Sequence, residues 1–498
     1  MSTIRKKSIL SSLVVYFGFA LGFVNTYLYA REGGFTKTEY GLTALFIAVA
    51  NVMYSLGALG MPAYVSKFFP YYKDRLQPKE NDMFTRSLVV ATMGFTIVAI
   101  LGIVFKDLVL ERFNNAPMLQ QYYYWIFPFG YGYTLFMVLE SYGWQQGVPV
   151  LTNFLKELLS RVLITVLIVA TTLGFIGHFD TFVHLYAFMY PLLALVLIVY
   201  FIRSGKAHFV WRKSVVTEKF WPKVVALCGY VWGGGLVLNL STVFDSIVIA
   251  AVLPNGLEQA AVYTLAQNIA SLIQAPQRGV IASAIGPLSQ AWKDKDLDRI
   301  NRIYSRSAIN QLLSACILFS LIWLNFEDGV YTFKLQPDYV GAKWVFLIMG
   351  LYRVIDMGTG LNAQIIGTSS YWKFEFTSGL ILLAMAIPLN YFLTKELGII
   401  GPAISSLIAF TAYNGIRFWF LYKRFGMQPF SMATLNTILL SGLCFGATWY
   451  LFNSYQGFWW IVARSSFFCI LFGISAYWLK LSPDVEQVLS TVRSRMRR

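Results

Sequence analysis

The stretch SILSSLVVYFGFALGFVNTYLYA, residues 8–30, is an almost continuous apolar run that follows three cations, Arg5, Lys6 and Lys7. About 20 apolar residues in a helix are enough to cross the ~30 Å hydrocarbon core of a bilayer. The run is long, lacks a convincing small-residue cleavage site and is followed by further apolar runs. We therefore interpret it as a retained membrane helix rather than as a signal peptide.

The composition of the whole chain supports the same conclusion. Of its 498 residues, 57% are hydrophobic and only 13% are charged, and the mean hydropathy is +0.58. A soluble globular core does not need this much apolar surface, so the chain is predicted to be an all-α polytopic membrane protein. The four cysteines all lie in apolar runs, where they are expected to be small hydrophobic residues rather than disulfide partners.

Apolar runs separated by polar breaks predict about 14 transmembrane helices. The predicted spans cover residues 8–30, 40–66, 86–106, 119–141, 149–173, 180–203, 223–252, 258–280, 304–325, 340–366, 372–394, 398–420, 431–453 and 457–480.

The positive charges predict the orientation, because Lys and Arg concentrate in loops that stay in the cytoplasm. With the N-terminus inside, the connections 67–79, 203–223 and 278–306 and the tail after 480 hold most of the cations, whereas the outer loops hold few. We therefore expect an inner (cytoplasmic) bacterial membrane protein with both termini in the cytoplasm. The net charge of +16 is then mainly an orientation signal and a contact with anionic membrane lipids, and nucleic acid is not an expected partner.

Two short matches suggest an internal duplication. Tyr40, Gly41 and Leu42 recur as Tyr263, Thr264 and Leu265, and LGFIG at 173–177 recurs as LGIIG at 397–401. Both pairs are about 224 residues apart and lie at corresponding span boundaries. Chance identity among common membrane residues is the alternative. A duplication of six helices gives two lobes of the same orientation, an arrangement typical of transporters with a cavity between the lobes.

The predicted domains follow from this duplication. They are an N-lobe of helices 1–6 (residues 1–205), a C-lobe of helices 7–12 (206–425), two extra C-terminal helices, 13 and 14 (426–482), and a basic cytoplasmic tail (483–498).

Two segments carry a family resemblance: EYGLTALFIAVANVMYSLGALGMPAYVSKFFPYYKDR, which starts at residue 39, and VYTLAQNIASLIQAPQRGVIASAIGPLSQAWKDKDLDRINRIYSRS, which starts at residue 262. They resemble the second and eighth helices of polysaccharide flippases in the multidrug/oligosaccharidyl-lipid/polysaccharide (MOP) exporter superfamily, and the resemblance extends over essentially the whole chain. It implies a V-shaped pair of six-helix lobes around a central cavity that flips undecaprenyl-pyrophosphate-linked saccharides, as O-antigen flippases do. It does not identify the glycan.

Charged residues inside the fifth predicted span point to a hydrated site. On a regular helix Asn153, Lys156, Glu157 and Arg161 share one face, and charges in a span usually face a partner or a water-filled cavity. One interpretation is an intrahelical pair between Glu157 and Arg161, with Lys156 extended towards the headgroups. The other is a set of cations lining the cavity for an anionic ligand.

The eighth and tenth spans repeat the pattern. Arg353 and Asp356 lie on one stripe of the tenth span, either as a structural i, i+3 pair or as cavity residues. Gln274 and Arg278 share a face of the eighth span, where amides suit hydroxyl-rich sugar or serve as packing contacts between helices. We take Lys156, Arg161, Arg353, Arg278, Gln274 and Asn153 as candidate substrate-binding residues.

Acidic residues in the spans are candidates for ion coupling. A carboxylate in a cavity can take up H⁺ or Na⁺, and its charge state can then bias the conformation. The candidates are Asp245, Glu140, Glu157 and Asp356, each of which is alternatively a fixed counter-ion. No other cofactor and no metal site is expected. Arg464, near the outer end of the last span, is expected to extend towards the headgroups.

Three functional classes remain after these observations. The first is a flippase for a lipid-linked oligosaccharide, with glycosyltransferases and a glycan polymerase as expected neighbours in the pathway. The second is a multidrug cation antiporter of the same superfamily, although the spans hold more cations than that class needs. The third, a membrane glycosyltransferase or polymerase, is disfavoured because the outer loops are short. We therefore expect a transporter and not an enzyme.

Overall fold

The chain folds into helices, as expected when backbone polar groups must be satisfied within each segment that crosses hydrocarbon. A computed structural model describes the backbone of residues 3–482, and the side chains of these residues except 3–13, 16, 230, 234–242, 282, 372 and 376. No β-strand forms within the described residues. The all-α prediction is therefore confirmed.

The chain divides into two compact units, with the boundary between Ala261 and Val262. The helices of unit one are α1 (Thr3–Ala30), α2 (Lys37–Gly57), α3 (Met61–Arg75), α4 (Met83–Val104), α5 (Lys106–Arg112), α6 (Pro117–Tyr122), α7 (Ile126–Gln145), α8 (Pro149–Asn153), α9 (Ser160–Thr172), α10 (Phe179–Ala187), α11 (Met189–Arg203) and α12 (Val215–Val252).

Helix α13 (Gly256–Ser271) crosses the boundary between the units. The remaining helices, all in unit two, are α14 (Ala275–Lys293), α15 (Leu297–Thr332), α16 (Ala342–Gly358), α17 (Asn362–Gly367), α18 (Trp372–Leu397), α19 (Ile400–Phe425), α20 (Met432–Phe452) and α21 (Phe458–Trp478).

Within residues 3–482, seven helical segments are long and apolar enough to cross a membrane by length and composition. They are Lys37–Gly57, Pro78–Val104, Phe179–Arg203, Leu297–Thr332, Lys373–Leu397, Met432–Phe452 and Phe458–Trp478. Many large apolar side chains are exposed, including Phe175 and Leu443, as expected for a surface covered by lipid. The multi-pass architecture is confirmed, and the count of about 14 crossings stays a prediction.

Several predicted spans are not single regular helices, and two of these breaks concern candidate site residues. The span predicted at 149–173 consists of α8, a π-helical segment Phe154–Leu159 and α9. The span predicted at 258–280 is broken after Ser271, and α14 begins at Ala275. Pro276 at the start of α14 explains the second break, because proline lacks a backbone donor and suits the first turn of a helix.

The repeated LG-x-I-G segments both follow the end of a helix. Gly174 follows α9 with φ +80°, and Gly398 follows α18 with φ +64°. Glycine adopts a positive φ without steric cost. The repeat thus marks two helix ends, and the lobe boundaries predicted from it stay a prediction.

In unit one, α12 packs on α2 and α3. A Cβ on Gly41 of α2 would lie 1.8 Å from the carbonyl oxygen of Leu257 on α13, so only glycine permits α13 to approach α2 this closely. Near the end of α2, the indole of Trp232 on α12 donates to the carbonyl oxygen of Leu56 at 3.0 Å. The core of unit one then lies between α3, α4, α7 and α11 and contains buried aromatic side chains such as Phe84 and Tyr142.

Candidate functional site

Unit one gathers four charged side chains, which we call the charged cluster: Glu140 on α7, Lys156 and Glu157 on the π segment, and Arg161 on α9. Lys156 Nζ lies 3.0 Å from Glu140 Oε2, and Arg161 Nη2 lies 3.0 Å from Glu157 Oε2. The Glu140 side chain is only 3% exposed, whereas the other three are 22–28% exposed. The formal charges cancel within the cluster.

The π segment carries Lys156 and Glu157 and ends two residues before Arg161. In a π-helix the backbone bonds run from i to i+5, and such segments are frequent at functional sites. The Ser160 hydroxyl donates to the carbonyl oxygen of Lys156 at the end of this turn. Lys156 reaches α7, whereas Arg161 lies against α1 with Cζ 5.1 Å from the ring centroid of Phe19. The two cations therefore lie at opposite edges of the predicted face, and that both line one cavity stays a prediction.

Glycines on α1 allow it to approach the charged cluster closely. A Cβ on Gly18 would lie 2.3 Å from the carbonyl oxygen of Glu157, and one on Gly22 would lie 3.2 Å from the Arg161 guanidinium. One turn further, the Asn25 amide donates to the carbonyl oxygen of Arg161 at 2.9 Å. Helix α1 therefore holds the backbone around both ion pairs in place.

Two polar atoms of the charged cluster have unused hydrogen-bonding capacity. Glu140 Oε1 and Arg161 Nη1 are buried and have no hydrogen-bond partner among the described residues. Buried polar atoms without a partner are uncommon and are found where a site takes an ion, a water molecule or a ligand. The charged cluster can therefore accept a proton or cation at Glu140 and offer a donor at Arg161.

In unit two, carboxamides surround the carboxylate of Asp356 on α16. Asn414 Nδ2 donates to Oδ1 at 2.9 Å, while Gln277 and Gln274 donate to Oδ2 at 3.2 Å and 3.5 Å. Asn414 in turn accepts from the Asn362 amide at 2.9 Å. We call these five residues the amide cluster. It includes Gln274 because the break between α13 and α14 brings that residue to α16.

Arg353 lies one turn before Asp356, yet the two do not form the predicted i, i+3 pair. Its guanidinium Cζ lies 4.5 Å from the centroid of the Tyr352 ring, and its Nε is buried without a hydrogen-bond partner. Among the described residues, no carboxylate forms an ion pair with Arg353. The structural alternative considered for this pair is therefore wrong, because amides occupy the Asp356 carboxylate.

The remaining sequence candidates are not among the residues that define the two clusters. Asp245 is half-buried on α12, and Asn153 is half-buried at the end of α8. Arg278 is exposed on α14, one turn after Gln274. Their roles stay predictions.

Comparison with known proteins identifies the family. The family described as polysaccharide biosynthesis protein matches residues 4–291, more than half of the 498-residue chain. The chain belongs to the polysaccharide biosynthesis protein family. A comparison with curated proteins finds no match by sequence.

Solved structures similar to this family member belong to transporters. The lipid II flippase MurJ in an inward closed conformation has a TM-score of 0.74 at 17% identity, covering 95% of this chain and 99% of that chain. A multidrug resistance MATE family transporter of the MOP superfamily, inward-facing, has a TM-score of 0.62 at 14% identity, covering 82% and 94%. A variant of the Vibrio cholerae MATE transporter VcmN has a TM-score of 0.56 at 13% identity, covering 84% and 95%.

These likenesses show that the chain shares the fold of the MurJ flippase and of MATE transporters, one of which is described as a member of the MOP superfamily. The family match confirms the predicted recognition of a polysaccharide family. That the chain is a transporter and not an enzyme stays a prediction.

Sequence reasoning missed a buried ion pair in unit two. Arg417 on α19 donates through Nε to Glu375 Oε2 on α18 at 2.9 Å, and its Nη2 contacts both Glu375 and the Tyr413 hydroxyl. Arg417 lies near the end of the span predicted at 398–420 and was not among the candidate site residues. The sequence signal for this pair was the position of Arg417 inside a long apolar run, together with a carboxylate, Glu375, at the start of the preceding apolar run.

A second missed group is the polar network around Asp82 in unit one. The fully buried Asp82 carboxylate accepts from the Arg86 side chain, the backbone of Ser214 at 3.1 Å and the Thr217 hydroxyl at 2.8 Å. The Tyr72 hydroxyl lies 2.7 Å from that of Thr217. Burial raises the pKa of Tyr72 above its ordinary value, which is itself well above neutral. The network joins the start of α12 to α3 and α4.

The prediction for Arg464 is wrong. Its side chain does not extend towards the headgroups but is buried, with Nη2 donating to the carbonyl oxygen of Tyr455 at 2.7 Å and Nη1 to that of Leu324 at 2.8 Å. Its Nη2 also lies 3.4 Å from Asp328 Oδ2. Partners on α15 and in the α20–α21 turn make the buried position more favourable than the membrane interface.

Proposed function

We propose that the chain flips a lipid-linked oligosaccharide, of the undecaprenyl-pyrophosphate type, from the cytoplasmic to the outer leaflet by alternating access. The observation that carries the proposal is Arg353, a cation inside an apolar helix that has no carboxylate partner among the described residues. The family, and a fold similar to that of a lipid II flippase, support it.

The energetics of Arg353 favour an anionic ligand. A cation near the middle of a membrane helix costs about 2.5–3.5 kcal/mol on insertion scales, so it is normally offset by a counter-charge or by water. Here the described residues supply an aromatic ring and no carboxylate. A pyrophosphate supplies the missing negative charge, and a guanidinium can bind its oxygens through two parallel hydrogen bonds.

The charged cluster offers further phosphate donors. Arg161 Nη1 is a buried donor without an acceptor, so it can bind an incoming phosphate oxygen without breaking its bond to Glu157. Lys156 is held by Glu140 and becomes available only when that carboxylate is neutralised. Arg278, Gln274 and Asn153 are the remaining candidates for contacts with phosphate or sugar.

The ion pair between Lys156 and Glu140 provides a route to ion coupling. A proton bound at the free Glu140 Oε1 removes the negative charge that holds Lys156, which leaves an ammonium for the pyrophosphate. By linkage, ligand binding then raises the affinity of Glu140 for the proton by the same factor. The H⁺ or Na⁺ gradient can thus drive the conformational cycle, with Glu157, Asp356 and Asp245 as the other candidate carboxylates.

The cellular setting follows from the same proposal. Cytoplasmic termini in a bacterial inner membrane agree with the distribution of Lys and Arg between inner and outer loops. Enzymes that assemble the glycan on the inner face would supply the substrate, and a polymerase or ligase on the outer face would consume it.

A multidrug cation antiporter is the second candidate, and one observation favours it. The Asp356 carboxylate is held by amides and forms no ion pair among the described residues, so it could bind a cationic drug. Two MATE transporters have similar folds. A drug-resistance assay on cells that produce the chain separates the classes, because a flippase confers no resistance.

The decisive experiment replaces Arg353 or Arg161 by Ala and measures surface glycan display in cells that depend on the chain. We expect display to be abolished while membrane insertion and protein amount stay normal. Arg302→Ala, at an exposed position of α15, is the matched control and should display glycan normally. Normal display in both test variants would contradict the cationic-site proposal.

A further inference from the structure

Unit two contains a cavity of about 130 Å³ that is separate from both clusters described above. It lies beside the end of α15, the start of α16 and the turn between α20 and α21, which the predicted orientation puts at the outer face of the membrane. Its wall includes the side chains Trp323, Glu327, Lys343, Trp449, Asn453 and Gln456.

The floor of the cavity is held by a hydrogen-bonded network. Asp328 Oδ1 accepts from the backbone of Gly457 at 2.9 Å, and Arg464 donates to the carbonyl oxygen of Tyr455 at 2.7 Å. Gly457 has φ +107°, a conformation that other residues rarely adopt. The α20–α21 turn is thereby fixed to α15, so the cavity is formed in advance and a ligand need not order it.

The charges around the cavity are already neutralised. Lys343 Nζ lies 2.8 Å from Glu327 Oε1 at the rim, and Arg464 pairs with Asp328 below. Two cations and two carboxylates therefore cancel. A phosphate or a quaternary ammonium would have to displace one of these partners, so the cavity favours a neutral ligand.

Apart from the paired charges, the wall of the cavity offers indole rings and carboxamides to a ligand. Trp323 is held in place by Lys343, whose Nζ lies 4.8 Å from the centroid of the ring, and by an edge contact with Trp344 at 5.7 Å. Gln456 has no hydrogen-bond partner among the described residues, and its amide offers both donors and an acceptor. Flat apolar rings beside paired donors and acceptors match a sugar, which has C–H faces and a rim of hydroxyls.

The volume of the cavity is suited to one ring. A cavity of about 150 Å³ is known to hold one six-membered ring, and the present cavity, which is open on one side, has a similar volume. We propose that this cavity binds a single neutral saccharide residue at the outer end of unit two. The site adds a glycan contact on the release side, and its direct binding to sugar does not depend on the phosphate site proposed above.

Interfacial tryptophans also occur simply as anchors in the headgroup region. Trp459 of α21 serves as the comparison, because it is 78% exposed and does not line the cavity. If both tryptophans were only membrane anchors, replacing Trp449 or Trp459 would have the same effect on sugar binding. A sugar site in the cavity requires Trp449 and not Trp459.

The test uses the full-length protein in nanodiscs of zwitterionic lipid and saturation-transfer NMR. The probes are methyl glucoside, methyl N-acetylglucosaminide and methyl rhamnoside, with phosphocholine and inorganic phosphate as competitors. We expect saturation of sugar ring protons with the unaltered chain and with Trp459→Ala. Trp449→Ala should weaken affinity about fivefold, the size of one lost aromatic contact. Gln456→Ala, at an exposed turn position, provides a second test if Trp449→Ala does not fold.

Three outcomes would overturn the inference: no sugar signal, an equal response of Trp449→Ala and Trp459→Ala, or displacement of the sugar by phosphocholine or phosphate. Arg353→Ala separates this inference from the proposed function, because it should lose glycan display and keep sugar binding. Loss of sugar binding in Arg353→Ala would show that the probes bind elsewhere.

Discussion

The ammonium of Lys156 lies 3.0 Å from the carboxylate of Glu140, and this ion pair joins the π segment to α7 inside unit one. One Glu140 oxygen is used by Lys156, and the other has no partner among the described residues. The pair therefore links two helices, and protonation of the second Glu140 oxygen would remove the negative charge that holds Lys156. Two predictions follow from its geometry and from the packing next to it.

The first prediction is that Glu140→Gln makes transport independent of the coupling ion. Glutamine cannot change its charge, so Lys156 stays available whether or not a proton is supplied. Removing one member of a mostly buried pair should also lower stability by about 2–3 kcal/mol. Glycan translocation into proteoliposomes, with and without an imposed H⁺ or Na⁺ gradient, is the measurement. Glu218→Gln, at the start of α12 and outside the charged cluster, is the control. Transport of Glu140→Gln that still follows the gradient would assign the coupling to another carboxylate.

The second prediction concerns the contact between α1 and the π segment. Gly18→Ala would put a Cβ 2.3 Å from the carbonyl oxygen of Glu157, so the two helices must move apart. Overpacking of this kind typically costs about 1–3 kcal/mol. We expect a lower unfolding temperature in detergent and reduced transport. In Gly442→Ala the new Cβ has no heavy atom within 4 Å among the described residues beyond its own stretch of helix, and this variant should resemble the unaltered chain. Equal unfolding temperatures for the two variants would contradict the close packing.

The all-α membrane fold could be predicted because it depends on the length of apolar runs, which one sequence contains in full. The two LG-x-I-G segments were expected at span boundaries, and Gly174 and Gly398 both follow the end of a helix with a positive φ. The sequence also shows which residues carry charge inside the spans. Lys156, Arg161 and Arg353 stand out because an isolated cation in hydrocarbon is costly.

The partners of those charges could not be predicted. A helical wheel does not say which neighbouring helix each cation reaches, and here Lys156 contacts α7 whereas Arg161 lies against α1. Asp356 finds Asn414 only through the packing of α16 on α19, which no local pattern encodes. For the same reason Arg464 was misjudged, because its carbonyl partners belong to the backbone and leave no signature in side-chain types.

The third prediction tests the network that anchors the start of α12. Asp82→Asn retains one acceptor oxygen but turns an amide donor towards donors from Arg86, Ser214 and Thr217. A fully buried carboxylate with several bonds should lose about 3 kcal/mol on this change. Thermal unfolding of the purified protein measures the loss. Asp74→Asn, at an exposed position of α3, should have no effect. An unchanged unfolding temperature for Asp82→Asn would mean that the network does not support the fold.

The fourth prediction concerns Asp356, which three amide nitrogens approach, two from glutamines and one from Asn414. Asp356→Asn places an amide among amides, so at least one of these hydrogen bonds must be lost or reversed. If Asp356 binds the coupling ion, transport driven by a Na⁺ gradient should be lost while transport driven by an H⁺ gradient through Glu140 persists. Measuring both gradients in the same proteoliposomes distinguishes the two carboxylates. Asp338→Asn, before α16 and outside the amide cluster, is the matched control. Full Na⁺ dependence in Asp356→Asn would restrict the amide cluster to a packing role, because an amide side chain cannot supply the negative charge that a bound cation requires.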